Sequence, residues 1–550
     1  MTIPHMLLLL PMLGMVAIIA APEKQAKWIS FGASSIVFLL SVVWAIQFPE
    51  WRSGRFWPEE SGAGVMTRFG VSLELGVDSV SMMLVLLTTF LTPLSILGSF
   101  SSITTREREF YGWFLVLLSA MQLAFMSRDA ILFYVGYEFT LAPMFFLISI
   151  WGGPERRPAG IKFFLFTFLG SVITLAAIVY VAVQAYGATG VWSFRIPDLV
   201  AFCNNPEFGL SHSQSTWVFG ALMAGFAVKT PFFPVHTWLP LAHDQAPTAG
   251  SVILAGTLLK LGTYGVYRIA LPMAPDGAVA LCTFFAVLSV MAIINMALVC
   301  WVQKDVKKLI AYSSVAHMGF AMLGLFSFNP IGVEGSVMYM VNHGLSTGAL
   351  FLCVGMIYER YHSKDMEEIG GLAKRMPIWA VFMVFFTLSS VGLPGLNGFV
   401  GEFLCLFGAY TASHDAATGY PGVLGPWFAL IAAVGLILGA MYLLIMLGKV
   451  VWGPLREPEA HGHEPVKDLG FREIAILAPL ALACLWIGLQ PSPMLRAIVP
   501  SAKIVIAEYP AAVERYHAER NAAPVVETLT SAEAPSPGAA RPGADSEAQP

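Results

Sequence analysis

Apolar stretches of about 20 residues, the length an α-helix needs to cross a hydrocarbon core about 30 Å thick, recur along almost the whole chain with short polar turns between them. Their spacing predicts about fourteen transmembrane helices, at 3–21, 29–48, 77–99, 110–126, 129–150, 161–185, 215–240, 247–270, 277–301, 307–327, 334–358, 377–411, 426–452 and 473–490. The expected fold class is therefore an all-α polytopic membrane protein. Of the 550 residues only 12% are charged, against roughly 25% in an ordinary soluble domain, which excludes a soluble protein and makes nucleic acid an implausible partner. The first stretch has no basic region ahead of it and is followed by Lys24 and Lys27, the pattern of a retained helix rather than a cleaved signal peptide. Six cysteines stand far apart without a C-x-x-C pair, and five fall in apolar spans where a small hydrophobe packs well, so no iron–sulfur cluster is read here.

If these spans hold, successive loops alternate sides of the membrane. The odd loops carry most of the basic residues: Lys24, Lys27, Arg106, Arg108, Arg156, Arg157, Lys162, Lys304, Lys307, Lys308, Arg360, Lys364, Lys374, Arg375, Arg456, Lys467 and Arg472. The even loops offer little beyond Arg52, Arg55, Arg68, Arg128 and Arg195. Positive charge marks the cytoplasmic side, so both termini are expected on the outer, periplasmic side of a bacterial inner membrane. Beyond about Asn521 the chain is rich in Ala, Pro, Glu and Ser, and a disordered tail is expected over 521–550. Between Met494 and Glu519 an amphipathic segment that includes Ile504, Val505, Ile506 and Tyr509 is expected to lie along the membrane surface.

Charge inside the spans is the functional signal. A charged side chain facing lipid costs at least about 2.5–3.5 kcal/mol, so a mid-membrane Lys or Glu needs a protein or water environment and usually has a task. Four stand out: Glu138, Lys229, Lys260 and Glu402. Glu138 lies about nine residues from Asp129, the nearest charge before it, and reads either as a protonated, packed carboxylic acid or as a proton-exchanging group biased by a nearby cation. Lys229 immediately precedes Pro231 and Pro234, which remove backbone donors and break the helix. A broken helix survives at membrane depth only where protein or water satisfies the freed carbonyls, which places Lys229 beside an internal polar site. Lys260, within GSVILAGTLLKLGTYGVY, has no neighbouring charge in sequence and should face the interior. Burial disfavours an ammonium while a carboxylate favours it, and these opposed effects can poise a lysine to release its proton when a neighbour changes charge.

Glu402 follows a second interruption, VGLPGLNGFVGEF, where Gly392, Pro394, Gly395 and Gly398 make a continuous helix improbable. Two breaks, one in each half, point to a repeated transporter fold with central polar sites. Superposing Pro231 on Pro394 nevertheless leaves Lys229 and Glu402 at different offsets. Among the histidines, His317 and His343 lie within apolar spans and are the better relay candidates, with His236 and His243 behind them. A neutral imidazole both accepts and donates a proton, although each alone reads equally well as a packed side chain. His461 and His463 are weak evidence for a metal, and none is assigned.

The stretch AVKTPFFPVHTWLPLAHDQAPTAGSVILAGTLLKLGTYG, from Ala227 to Gly265, resembles the most characteristic segment of the antiporter-like subunits of respiratory complex I, in the form typical of subunit M, or subunit 4 in mitochondria. KDVKKLIAYSSVAHMGF from Lys304, MVNHGLSTGALFL from Met340 and VGLPGLNGFVGEF from Val391 extend the resemblance over nearly everything between Arg106 and Gly453. It implies helices 4–8 and 9–13 as two inverted five-helix repeats, in a chain divided into 1–105, 106–272, 273–453, 454–520 and the tail. It implies a proton pathway in which Glu138 and Lys229 form the input pair, Lys260 the central relay, His317 and His343 the bridge and Glu402 the terminal carboxylate. Glu402, where the sister subunit L usually has lysine, favours the M form over L or N. The resemblance places no cofactor in this chain: NADH, FMN, iron–sulfur clusters and quinone belong to partner subunits, and enzyme activity to the assembly. The rival readings are a subunit of a multisubunit cation/proton antiporter or of a membrane-bound hydrogenase and, from another class, a structural membrane scaffold that carries no protons.

Overall fold

In the computed structural model the protein is a bundle of helices, described over residues 2–58, 64–66, 70–413, 420–458 and 466–522. Arg68, His414, His461, His463 and the tail expected over 521–550, beyond residue 522, lie outside the described residues. Among the described residues eleven helices are long and apolar enough to cross a membrane, from Ile3–Ala20 to Phe471–Leu489. The other three expected spans also coincide with helices. One is Val306–Leu325. The second is interrupted, His212–Lys229 followed by Trp238–Gln245, as is the third, Pro377–Val391 followed by Asn397–Thr411.

Loop contacts sort onto two faces. On one, Lys307 donates to Ala246 O at 2.6 Å, Lys364 to Asp244 at 2.6 Å and Arg360 to Glu473 at 2.7 Å, so loops 7, 9, 11 and 13 meet. On the other, Arg195 pairs with Glu74 at 2.7 Å and Arg268 with Asp78 at 2.5 Å. Odd and even loops therefore gather at opposite ends of the bundle, as alternating spans require.

Lys260, expected to face the interior, is fully buried. Thr248–Met273 and Pro330–Tyr361 are enclosed on all sides by other helices, whereas Ile3–Ala20 and Pro426–Val450 keep broad apolar faces outward toward lipid. The Thr248–Met273 span departs from regular α-helix, with π-helical turns at Leu254–Leu258 and Val266–Ala270 on either side of Lys260. Such widened turns are frequent at functional sites.

The segment after the last span departs from its expected place. Ser492–Val505 and Tyr509–Ala522 are helices, but Val505, Ile506 and Tyr509 are buried against the chain's own helices, and only Ile504 of the expected apolar set is exposed. Tyr509 donates to Leu271 O at 3.1 Å and stacks on Phe328 at 4.3 Å, and Arg515 pairs with Asp276 at 2.6 Å. The amphipathic pattern is real, but protein rather than lipid receives it. All six cysteines are buried, including Cys203, the one outside the apolar spans.

Candidate functional site

The first break is closed by its own neighbours. Trp238 donates its indole N–H to Val228 O at 3.0 Å, and Phe232 N–H bonds Ala227 O at 2.8 Å, so the last carbonyls before the break are met. Lys229, the last residue of the half-helix, is fully enclosed. Its ammonium donates to Tyr137 O at 3.0 Å and Thr140 Oγ1 at 2.9 Å and sits 4.1 Å from the Tyr137 ring centroid. A carbonyl, a hydroxyl and a π-face thus solvate the charge.

Glu138 lies on the same helix stretch as Tyr137 and within electrostatic reach of Lys229, but no direct ion pair joins them. It is only half-buried, and its Oε1 has no protein partner. The input pair of the sequence reading is therefore a neighbourhood rather than a contact, and Glu138 stands toward the edge of the subunit.

The second cluster runs from Lys260 to Glu402 with one gap, between His343 and His317. Lys260 Nζ lies 2.6 Å from His343 Nδ1 and also donates to Ala255 O, in the π-helical turn just before it. Close approach of the two helices makes this possible: a Cβ on Gly344 would sit 2.7 Å from Gly256 O. The rings of His343 and His317 are 5.8 Å apart. The Tyr339 hydroxyl contacts both His317 Nδ1 and Glu402 Oε1, and these two atoms are themselves 3.4 Å apart. The sequence reading missed Tyr339, although its place one helical turn before His343 puts both on one face.

Glu402 is aimed by the second break. Gly392 ends the first half-helix at φ +79°, a left-handed conformation natural to glycine, and a side chain there would collide with the Glu402 carboxylate. Asn342 Nδ2 donates to Asn397 O at 2.6 Å and Asn397 Nδ2 returns a bond to Asn342 O at 3.2 Å, pinning the break to the helix that carries His343.

Between the two clusters no hydrogen bond joins Lys229 to Lys260 among the described residues. Their helices touch where Gly262 abuts the backbone of Thr230. Thr230 Oγ1, Thr263 Oγ1, His317 Nε2 and His343 Nε2 are buried without protein partners. Buried polar atoms of this kind are satisfied by ordered water. A cavity of about 10 Å³ lined by His317, Tyr339, His343 and Ser390 has room for about one molecule.

His243 is enclosed, stacks on Phe351 at 4.5 Å, has neither ring nitrogen bonded to protein, and lies within electrostatic reach of both Lys307 and Lys260. His236 stacks on Phe233 at 5.7 Å near Lys162 and joins neither cluster. Lys307, counted among loop charges, is buried beneath a polar cavity of about 450 Å³ that opens on the odd-loop face. At that rim burial pushes the Asp244 carboxyl up, but its bond to Lys364 and the nearby Lys308 hold it below the usual carboxylate range. Among the described residues no group of His, Cys, Asp and Glu has the arrangement of a metal site.

Two family models match in succession. Residues 64–127 match the amino terminus of NADH-ubiquinone oxidoreductase chain 4, and residues 127–425, more than half of the chain, match the NADH:quinone oxidoreductase/Mrp antiporter transmembrane family. A protein from Rhodobacter capsulatus named NADH-quinone oxidoreductase subunit M is 44% identical over 495 residues, covering 89% of this chain and 92% of the relative. The chain belongs to the subunit M/chain 4 family of NADH-quinone oxidoreductase.

Among solved structures, a chain of Thermus thermophilus respiratory complex I with bound NADH superposes with a TM-score of 0.80 at 30% identity, over 92% of this chain and 100% of that one. A chain of the Dietzia Mrp complex superposes with a TM-score of 0.76 over 93% of this chain and 100% of that one. At 19% identity this second likeness concerns the fold alone. For this member of the subunit M family the antiporter reading is thus met by kinship of fold, while sequence places the chain with the oxidoreductase.

Proposed function

We infer that this chain is a proton-translocating membrane subunit of NADH:quinone oxidoreductase, moving protons between Glu138 and Glu402 through Lys229, water, Lys260, His343, His317 and Tyr339. The observation that carries the reading is the file of buried polar groups from Lys260 to Glu402, in contact at Lys260–His343 and at His317–Tyr339–Glu402, with a cavity for about one water between the two histidines. Glu138, half-buried at the subunit edge, is suited to exchange charge with a neighbouring subunit, and the sister subunits L and N are the proposed neighbours. His243, beneath the polar cavity, links the odd-loop face to Lys260, while His236 has no place in this route. NADH, FMN, iron–sulfur clusters and quinone are assigned to partner subunits. The odd loops are assigned to the cytoplasm, both termini to the periplasm, and residues 106–272 and 273–453 to the two repeats.

The experiment is a pair of substitutions, Glu138→Ala and Lys229→Ala, made in the whole complex. The complex should assemble at normal abundance on native gels, while proton uptake and coupled quinone reduction fall by about tenfold or more, since each change removes one charge of a pair within electrostatic reach and a loss of about 1.4 kcal/mol is already tenfold. Normal coupling in assembled variants would leave the chain as a scaffold.

Tyr339→Phe should have a smaller effect. The ring keeps its packing on Phe320 and His317, and His317 stays 3.4 Å from Glu402, so only the hydroxyl is lost. Loss of a hydrogen bond to a charged partner, at about 1.5 kcal/mol, corresponds to a fall in pumping of about tenfold. An unchanged pumping rate would remove Tyr339 from the route.

A further inference from the structure

One apolar cavity lies outside the proton route. It has a volume of about 810 Å³, within the range of roughly 300–1,000 Å³ typical of ligand sites, and is walled by Phe38, Phe90, Leu345, Trp486 and Met494. Its polar residues are Arg52 and Arg496, both exposed, and neither guanidinium has a hydrogen bond or ion pair with protein among the described residues. They are brought to a common rim because Gly54 abuts the backbone of Pro500 and Ser501, pressing the loop after Ala26–Gln47 onto the Ser492–Val505 helix.

The depth of the cavity is informative. Phe38 lies nine residues before Gln47 and Phe90 eleven after Ser79, each placing its side chain about 14–16 Å into the bundle. That is half of a hydrocarbon core about 30 Å thick, the depth of one leaflet. Trp51 and Trp486 flank the rim, where the amphipathic indole favours the interface. An apolar shaft one leaflet deep, with two unneutralised cations at its mouth, matches an acyl chain below a phosphate.

We propose that this cavity between the second, third, eleventh and last spans holds a glycerophospholipid with an anionic headgroup, its chains against Phe38 and Phe90 and its phosphate between Arg52 and Arg496. Val341 and Leu345 line it from the helix that carries His343. The lipid thus supports the outer face of the helix whose inner face bears the relay.

The test uses the intact complex in phosphatidylcholine nanodiscs doped with photoactivatable phosphatidylglycerol or photoactivatable phosphatidylcholine, the label near the end of one chain. Labelled peptides are mapped by mass spectrometry. Phosphatidylglycerol should label the peptides containing Phe38 and Phe90 well above phosphatidylcholine, and the double variant Arg52→Glu, Arg496→Glu should lower that labelling by about tenfold. Ala483→Trp, which fills the cavity without touching the rim, should lower it independently. Equal labelling by both lipids, insensitive to charge reversal, would mean bulk lipid alone. Absence of labelling from either, with a neighbouring subunit crosslinked there instead, would overturn the proposal as well.

Discussion

Lys260→Met should leave the complex assembled and abolish proton pumping coupled to quinone reduction. Methionine matches lysine in length and fills irregular apolar space, so the fully enclosed site should repack at small cost. The charge, however, has no substitute. Lys260 Nζ and His343 Nδ1 are 2.6 Å apart, and two cations at that separation repel by roughly 6 kcal/mol even at an effective dielectric near 20. One proton is therefore shared by the pair, and a proton arriving at either group displaces the one already there toward His317 and Glu402. Without the ammonium that displacement has no origin, and coupled turnover should drop by at least about tenfold, a loss of about 1.4 kcal/mol in transfer efficiency being enough. The measurement is quenching of a pH-sensitive dye in proteoliposomes alongside the quinone reductase rate. Full quenching by an assembled Lys260→Met complex would disprove the relay.

A second large effect is structural. The Pro330–Tyr361 and Asn397–Thr411 helices touch along small residues: a Cβ on Gly335 would stand 2.6 Å from Cys405 N and 2.7 Å from Leu404 C, both backbone atoms that cannot yield. Without a hydrophobic drive between helices in lipid, such close packing holds a membrane bundle together. Gly335→Leu should force the two apart, at a cost of about 3 kcal/mol or more, separating Tyr339 from Glu402 and sharply lowering the amount of subunit retained in the complex. Gly439→Leu is the control, because nothing lies within 4 Å of that position. Immunoblotting of purified complex gives the readout, and equal retention of both variants would contradict this account of the seam.

What the sequence discloses follows from where the physics is local. Span length and proline–glycine breaks act through neighbouring residues, so the interruptions at Pro231 and at Gly392–Pro394 are legible before any fold is known. Lys229, Lys260 and Glu402 are legible because their surroundings in sequence are apolar. Tyr339 was not, since a tyrosine in an apolar span is ordinary and its role depends on His317 and Glu402, 22 and 63 residues away. Lys307 read as a loop charge because the loops that bury it come from elsewhere in the chain. The half-buried place of Glu138 was not legible, because sequence cannot tell which side of a helix faces a neighbour. The π-helical turns around Lys260 come from packing against other helices. The segment around Tyr509 has a clear apolar face, and only tertiary contacts choose between lipid and protein as its partner.

The placement of that last segment has a mechanical consequence. Tyr509 grips Leu271 and Phe328, Arg515 grips Asp276, and Ser501 grips Ser79, at the ends of spans from both halves of the bundle. A strut fastened across these ends stiffens the subunit against the rocking of one half over the other by which many carriers expose a site alternately to each side. Traffic through such a braced body depends on small displacements of side chains and water, and gating is confined to the scale of a rotamer.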